Sequence, residues 1–252
     1  MPSIRTDVCD PASPIPILTY HQIDVAPPRG TAFRSLSVAP AAFARQMGLL
    51  KLLGYRGLSM GALLPYLKGE LRGKVCGITF DDGYANNLQY ALPVLMGHGF
   101  SSTCYAVSQR LGQTNDWDHD SGIAVASLMN GEQLREWIAG GQEVGAHTRN
   151  HPHLPRLKQA QSAWEIAACK VELEDVTHAP VQHFCYPYGE IGPLHPGMVA
   201  QAGYATATTT VRSRCQAGDV VWKLPRVPVL RTTTLPVLWL KLATAYEDRR
   251  KI

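Results

Sequence analysis

The chain is organised around one stretch, residues 75–86, in which an apolar β-type run ends on two adjacent carboxylates. The run favours a buried strand, so Asp81 and Asp82 follow its carboxyl end. Neighbouring strand residues point to opposite faces, so both carboxylates reach one site only if the backbone bends. Gly83 tolerates the dihedral angles of such a bend. Because aspartate and glycine are also frequent in surface turns, an active site and a plain turn both remain open interpretations.

A second stretch, residues 143–154, also ends a short apolar run on a histidine. His147 is followed four residues later by His151, and His153 comes next. Residues four apart share one face if the segment turns helically, and two neutral imidazoles on one face bind a divalent metal. A chain with nine histidines produces some such pairs by chance. Two histidines with one carboxylate, however, form a known zinc ligand set of hydrolytic enzymes, so the two stretches together predict a metal centre.

Three motifs resemble those of the polysaccharide deacetylases with a NodB homology domain, also called carbohydrate esterase family 4. The TFDDG motif stands at residues 79–83, and the H-[ST]-x-x-H motif stands at 147–151 as HTRNH. The third motif, usually R-x-P-[YF], stands at 185–189 as CYPYG and has Cys185 in place of the arginine. The resemblance covers nearly the whole chain.

The cysteine form of the third motif resembles a branch of the family with a YPYG signature, some members of which act on poly-N-acetylglucosamine. Further residues that look like that branch are Tyr20, His21, Asn115, Trp117 and Asp118. The closing L-x-H motif of the family is absent from the sequence after Val229. The usual general acid is therefore missing from its expected place.

Strand-like and helix-like segments alternate along the chain in roughly seven βα units. This pattern predicts an α/β fold, and the resemblance implies a distorted (β/α)7-type barrel of the NodB homology type. At 252 residues, without an internal repeat or a low-complexity linker, we expect one domain over residues 1–252. Loops after the strands would then gather the candidate residues at one rim, namely His21, Asp81, Asp82, His147, Tyr188 and Arg226.

The resemblance implies that Asp82, His147 and His151 hold one divalent metal ion, with zinc expected first and cobalt or nickel as alternatives. Such a metal lowers the pKa of bound water to about 7 and polarises the acetyl carbonyl. Asp81 would be the general base. The backbone N–H of Tyr188 would complete the oxyanion hole, and the alternative for this residue is a turn aromatic after a proline.

Two roles stay open at this point. Arg226 is a candidate to replace the missing arginine of the third motif by pairing with Asp81, and a solvated surface arginine is the alternative. The general acid is His21, His153 or water. We place His21 first because it directly ends the first predicted strand, and His153 second because it lies beside the metal pair.

Aromatic residues near the motifs are candidate surfaces for stacking a sugar. Trp117 and Tyr186 are the main ones, and Tyr188 is a third. Residues 118–120 (Asp-His-Asp) form a rival ligand cluster. They follow Trp117 in a polar loop rather than ending a strand, which favours a solvated or substrate-contacting role.

These observations predict a metal-dependent hydrolase that removes N-acetyl groups from an N-acetylated sugar in a glycan or glycoconjugate. One alternative is a metalloamidase acting on a small non-sugar amide, which would have a closed pocket rather than an open groove. Another is a non-catalytic glycan-binding module that keeps the fold. The sequence does not indicate the oligomeric state.

Charge and cysteine content narrow the range of partners and locations. The net charge is +4, and the basic run at residues 249–251 is short, so nucleic-acid binding has little support. The six cysteines are scattered without C-x-x-C pairs, as expected for reduced thiols. The amino terminus lacks an apolar signal core, and no segment has ~18 consecutive apolar residues, so we expect a cytoplasmic protein.

Two helical stripes carry further expectations. One is predicted to face the core and consists of Ala160, Trp164, Ala167, Ala168 and Val171. The other lies near the carboxyl terminus, before the basic residues, and consists of Leu235, Leu238, Trp239, Leu242 and Tyr246. This second stripe packs as the last barrel helix or else forms a weak membrane-surface anchor.

Overall fold

The structure, a computed structural model, describes residues 7–250 of the chain, apart from the side chain of Arg250. Strands and helices alternate through most of this range. The strands are β1 (Ile17–Tyr20), β2 (Gln22–Ile23), β3 (Ser37–Val38), β4 (Arg56–Leu58), β5 (Val75–Phe80), β6 (Thr103–Ala106), β7 (Glu143–Ala146), β8 (His183–Cys185), β9 (Thr206–Arg212) and β10 (Leu224–Pro228). The helices are α1 (Pro40–Leu52), α2 (Met60–Leu67), α3 (Ala85–Tyr90), α4 (Leu92–His98), α5 (Gly131–Ala139), α6 (Gln159–Thr177), α7 (His195–Gln201) and α8 (Leu235–Ala243).

Seven parallel strands close into a barrel in the order β1, β10, β9, β8, β7, β6, β5, and β5 pairs again with β1. The short strand β4 pairs with the first half of β5, on the edge that β6 occupies further along. Strands β2 and β3 form a separate pair beside the barrel. The architecture confirms the predicted (β/α)7-type barrel.

The buried apolar side chains form two clusters. Leu18 and Phe80 belong to the larger cluster, which includes residues of the helices packed outside the sheet. Ile17, the residue before Leu18 in β1, joins Tyr105 and Leu224 in a smaller cluster. Because successive strand residues point to opposite faces, the two clusters lie on opposite sides of the sheet, and the barrel is filled by side chains.

Local signals in the sequence explain where several helices begin. Asn130 and Gln133 form a reciprocal capping box at the start of α5, which supplies hydrogen-bond partners for otherwise unpaired backbone donors. The helical segment that contains Pro93 is not continuous. The structure breaks it at Ala91 into α3 and α4, with Pro93 in the first turn of α4, where a missing N–H costs little.

The buried face of α6 differs from the predicted one. In the predicted stripe, Ala168 is buried as predicted, but Trp164 is 60% exposed and Val171 is 57% exposed. The residues of α6 that are buried outside the predicted stripe are Ser162, Ile166, Cys169, Leu173 and Thr177. Both stripes have helical spacing, and small side chains make the two faces similar in hydropathy. Burial of Ser162 is possible because its hydroxyl donates to the Leu154 carbonyl at 3.1 Å.

The carboxyl-terminal stripe packs in part as a barrel helix. Leu238 and Leu242 of α8 are buried in the larger core cluster, whereas Trp239 is exposed. The helix ends at Ala243, so Tyr246 lies beyond it. Lys251 lies outside the described residues, and the membrane-surface anchor stays a prediction. Within the described part of the chain, no helix is both long and apolar enough to cross a membrane.

Candidate active site

The two adjacent carboxylates reach one site through an unusual backbone turn after β5. Asp82 has φ +74° and Gly83 has φ +82°, so the left-handed bend begins at the aspartate itself. Aspartate tolerates this region better than most residues with a Cβ. Asp81 and Asp82 are 3% and 7% exposed, respectively. The bend brings both carboxylates to the same cavity, in place of the ordinary alternation of a strand.

The histidine motif after β7 is an irregular turn rather than a helix. Thr148 has φ +64° and His151 has φ +57°, which are strained values for residues with side chains. The Thr148 hydroxyl accepts a hydrogen bond from the His151 backbone N–H at 3.0 Å. The four-residue spacing therefore brings His147 and His151 together by a different route from the helical one expected.

Glu165 of α6 hydrogen-bonds to this turn, a role that no motif in the sequence indicates. Its carboxylate accepts the backbone N–H groups of Arg149 and Asn150 at 2.9 and 3.0 Å, and the Asn150 side-chain amide at 2.8 Å. A glutamate inside an alanine-rich helix has no local signature of such a contact. Glu165 thus fixes the segment between the two histidines.

The predicted ligands converge as a metal site requires. Asp82 Oδ1 lies 3.4 Å from His147 Nε2 and 3.4 Å from His151 Nε2. Two atoms each about 2.0–2.1 Å from a tetrahedral zinc ion lie roughly 3.4 Å apart, so the spacing fits. His147 Nδ1 donates to the Cys185 carbonyl at 2.7 Å, which directs the other ring nitrogen, Nε2, towards Asp82. The donor set therefore fits a divalent metal ion.

The surroundings of these three side chains shift their pKa values in directions that suit binding of a cation. Burial by itself raises the pKa of Asp82, but hydrogen bonds from His147 and His151 outweigh it, and the pKa lies well below its ordinary value. Burial lowers the pKa of His147, while Cys185 and Asp82 raise it, with a net result well above its ordinary value. Burial lowers the pKa of His151. An anionic carboxylate between two imidazoles suits a bound cation.

Asp81 does not join this trio but forms a buried ion pair with Arg226. The guanidinium donates from Nη1 to Oδ1 and from Nη2 to Oδ2, each at 2.7 Å. Arg226 is only 1% exposed. Burial by itself raises the pKa of Asp81, and the charge and hydrogen bonds of Arg226 more than offset it, so the pKa is lowered. The predicted pairing is present, and the surface alternative for Arg226 is excluded.

A shift in strand register aims Arg226 at the carboxylate. Leu224 of β10 pairs with Thr208 of β9, whereas Arg226, two residues later, pairs with Arg212, four residues later on β9. The additional residues on β9 form a bulge. Arg226 Nε donates to the Thr209 carbonyl in that bulge at 2.9 Å. Its Nη2 also lies 3.2 Å from Cys185 Sγ. Arg226 of β10 therefore contacts Cys185, the residue that replaces the usual arginine of the third motif.

Aromatic rings pack against the histidines that follow His147 in this segment. Trp117 stacks on His151 with ring centroids 4.5 Å apart. Tyr188, at φ +58°, stacks on His153 at 4.0 Å and donates its hydroxyl to Asp118 at 3.1 Å. Asp118 thus faces the cavity as a hydrogen-bond acceptor. Among the described residues, the segment 118–120 forms no group with metal-ligand spacing, whereas the Asp82 trio does.

A cavity of about 330 Å³ contains these groups. His21 lines it and has Nε2 3.9 Å from Asp81 Oδ2. His153 does not line it, and its Nδ1 lies 2.9 Å from Glu190. Tyr186 lines the cavity but is 1% exposed, with its hydroxyl donating to the Trp222 carbonyl, so little of its ring is open to a sugar. Apolar residues that no sequence motif indicates also line the cavity, among them Phe33, Leu36, Ile123 and Leu230.

The comparison with known families agrees with this geometry. The model of the polysaccharide deacetylase family matches residues 68–207, which is more than half of the chain. The chain belongs to the polysaccharide deacetylase family. The matched range includes the carboxylates after β5, the histidine turn after β7 and the CYPYG segment at residues 185–189.

Individual relatives extend the likeness over most of the chain. YxkH of Bacillus subtilis, which is named as a polysaccharide deacetylase, is 27% identical over 217 residues, covering 85% of this chain and 71% of YxkH. The solved deacetylase PplD of Streptococcus pyogenes, in complex with acetate, has a TM-score of 0.79 and 25% identity over 91% of this chain and 98% of PplD. IcaB of Ammonifex degensii has the same fold, with a TM-score of 0.77 and 22% identity over 93% and 99% of the two chains.

Proposed function

We propose that the protein is a metal-dependent N-deacetylase that acts on an N-acetylated sugar of a glycan or glycoconjugate. The observation that carries the proposal is the adjacency of two differently paired carboxylates. Asp82 faces two imidazole nitrogens at 3.4 Å, whereas Asp81 is held by Arg226 at 2.7 Å. Neighbouring acids in such different surroundings suit two roles, a metal ligand and a general base. Family membership and the acetate in PplD support the choice of an acetyl group.

In the proposed reaction, water adds to the acetyl carbon, the C–N bond breaks, and acetate and a free amine leave. Asp82, His147 and His151 would hold the metal, for which zinc is our first choice and cobalt or nickel the alternatives. When bound, the metal polarises the acetyl carbonyl and makes water more acidic. Asp81 takes the proton of the water, and the Tyr188 backbone N–H stabilises the developing oxyanion.

We assign the general acid to His21. It lines the cavity beside Asp81, whereas His153 turns towards Glu190. Replacing His21 with alanine should lower kcat by about two to four orders of magnitude and remove the alkaline limb of the pH–rate profile, because the amine then leaves without its proton donor. The bound metal should be unchanged. The matched variant His153→Ala should keep the profile, and an unchanged profile in the His21 variant would reassign the acid to water.

Acetate release tests the proposed activity directly. The purified protein is given a panel of N-acetylated oligosaccharides, nucleotide-linked and lipid-linked N-acetylated sugars, and simple acetamides. We expect acetate from one or more sugars and a loss of release with a chelator, restored by zinc. Release from simple acetamides alone would identify a small-amide hydrolase, the second candidate that the enclosed cavity favours. No release from any substrate would favour a non-catalytic glycan-binding module.

A cytoplasmic location stays a prediction from the sequence.

A further inference from the structure

A segment of the loop between β6 and α5, which we call the strap (residues 116–124), meets loops that are not its neighbours in the barrel. At one end, Ile123 forms a parallel bridge with Ala32 in the loop after β1. In the barrel order, β5 lies between β6 and β1. Ala32 and Ile123 both line the cavity together with Asp81, which follows β5. The bridge therefore forms a wall of the cavity on the side of β5.

At its other end the strap reaches the loop after β8. Asp118 accepts the hydroxyl of Tyr188 at 3.1 Å, and Trp117 stacks on His151. Strand β7, which carries the histidine turn, lies between β6 and β8. This second contact lies on the side of β7, and the strap lines the same cavity as the predicted metal ligands.

A third contact joins the loops after β1 and β10. Arg231 donates its backbone N–H to the Ser35 carbonyl at 2.8 Å. On the remaining side of the cavity, above β9, the contact is local, because the Thr210 hydroxyl donates to the Tyr188 carbonyl of the adjoining loop at 3.2 Å. Thr210 of β9 lines the cavity there and is exposed, as expected for a residue at the entrance.

One wall of the cavity, formed in part by the strap, is apolar. Phe33, Leu36 and Ile123 line it and offer no side-chain hydrogen bond to the hydroxyl groups of a continuing sugar chain. The volume of about 330 Å³ also lies at the lower end of the range of about 300–1,000 Å³ typical of small-molecule sites. An interior sugar unit has neighbours on both sides and needs a groove open at both ends.

We infer that the protein deacetylates the terminal N-acetylated sugar of a chain, or a single N-acetylated sugar bearing a linked group, and excludes interior units. This inference rests on the proposed N-deacetylase function and assigns substrate selectivity to the strap and the loop after β1. The unit that reacts enters from the side of Thr210 with the cavity wall behind it.

The products from short oligomers test the inference. Trimers and pentamers of each panel sugar that releases acetate are labelled at the reducing end, and the acetyl positions are read by tandem mass spectrometry. We expect loss of a single terminal acetyl group from both lengths. Interior loss by the wild-type protein at a rate within threefold of terminal loss would overturn the inference while leaving the proposed function intact. An absence of acetate from every panel sugar would remove both.

A shortened strap provides the second measurement. Deleting the exposed residues His119–Gly122 should separate Ile123 from Ala32 and raise interior deacetylation at least tenfold over the wild type. The control Val125→Ser changes an exposed residue of the same loop that does not line the cavity, and its product pattern should match the wild type. A folded deletion variant with an unchanged terminal pattern would show that the strap does not set selectivity. If the deletion variant fails to fold, the wild-type pattern decides alone.

Discussion

Replacing Asp81 with asparagine is expected to lower kcat/KM by about two to four orders of magnitude, because an amide cannot take the proton of the attacking water. The same change should also destabilise the fold. Asp81 is the carboxylate partner of Arg226, and both side chains are almost fully buried. Removing one partner of a buried ion pair leaves an uncompensated charge and costs about 3–5 kcal/mol of unfolding free energy. Rate assays and urea denaturation of the same preparation measure the two effects.

A double variant separates the two effects of the substitution. Asp81→Asn combined with Arg226→Met removes both charges, so most of the lost unfolding free energy should return while turnover stays low. Asp248→Asn is the matched control, because Asp248 pairs with Arg214 at 2.7 Å outside the cavity. It should lose stability without losing rate. Recovery of turnover together with stability in the double variant would show that Asp81 has only a structural role.

Arg226→Met alone tests the electrostatic coupling. Burial raises the pKa of Asp81, and Arg226 is the strongest influence in the opposite direction. Without the guanidinium, the pKa of Asp81 rises. A general base acts only when ionised, so the acid limb of the pH–rate profile should move to higher pH. An acid limb at the wild-type position would assign it to another group.

The sequence was sufficient to predict the barrel because the strand and helix patterns alternate and the motifs follow strand ends. The same patterns failed at α6, where Ser162 and Cys169 are buried and Trp164 is exposed. Two stripes of similar hydropathy cannot be ranked by spacing alone, since the choice depends on contacts with distant residues such as Leu154.

The candidate site shows the same division between local and distant information. The spacing of His147 and His151 was visible in the sequence, but the positive φ angle at His151 was not. The contact of Ala32 with Ile123 joins loops far apart in the chain. Neither loop has a pattern that indicates a partner, so the enclosure of the cavity could be found only from the structure.

Replacing His147 with alanine is expected to abolish stoichiometric zinc binding. Its Nδ1 is fixed by the Cys185 carbonyl, so the side chain presents Nε2 to Asp82 in a single tautomer. Loss of one of three protein ligands leaves too few donors to hold the ion through dialysis. Elemental analysis after dialysis, with circular dichroism to check folding, measures the result without relying on activity.

Two further variants distinguish ligation from general disturbance of the site. His153→Ala changes a histidine that contacts Tyr188 and Glu190 but not Asp82, so the zinc content should stay at the wild-type level. Glu165→Gln weakens the carboxylate contacts to the histidine turn and should lower zinc affinity by about 10–100-fold without abolishing binding, because it acts through the orientation of the ligands. Full zinc occupancy in a folded His147→Ala protein would contradict the ligand assignment, whatever the affinity of the Glu165 variant.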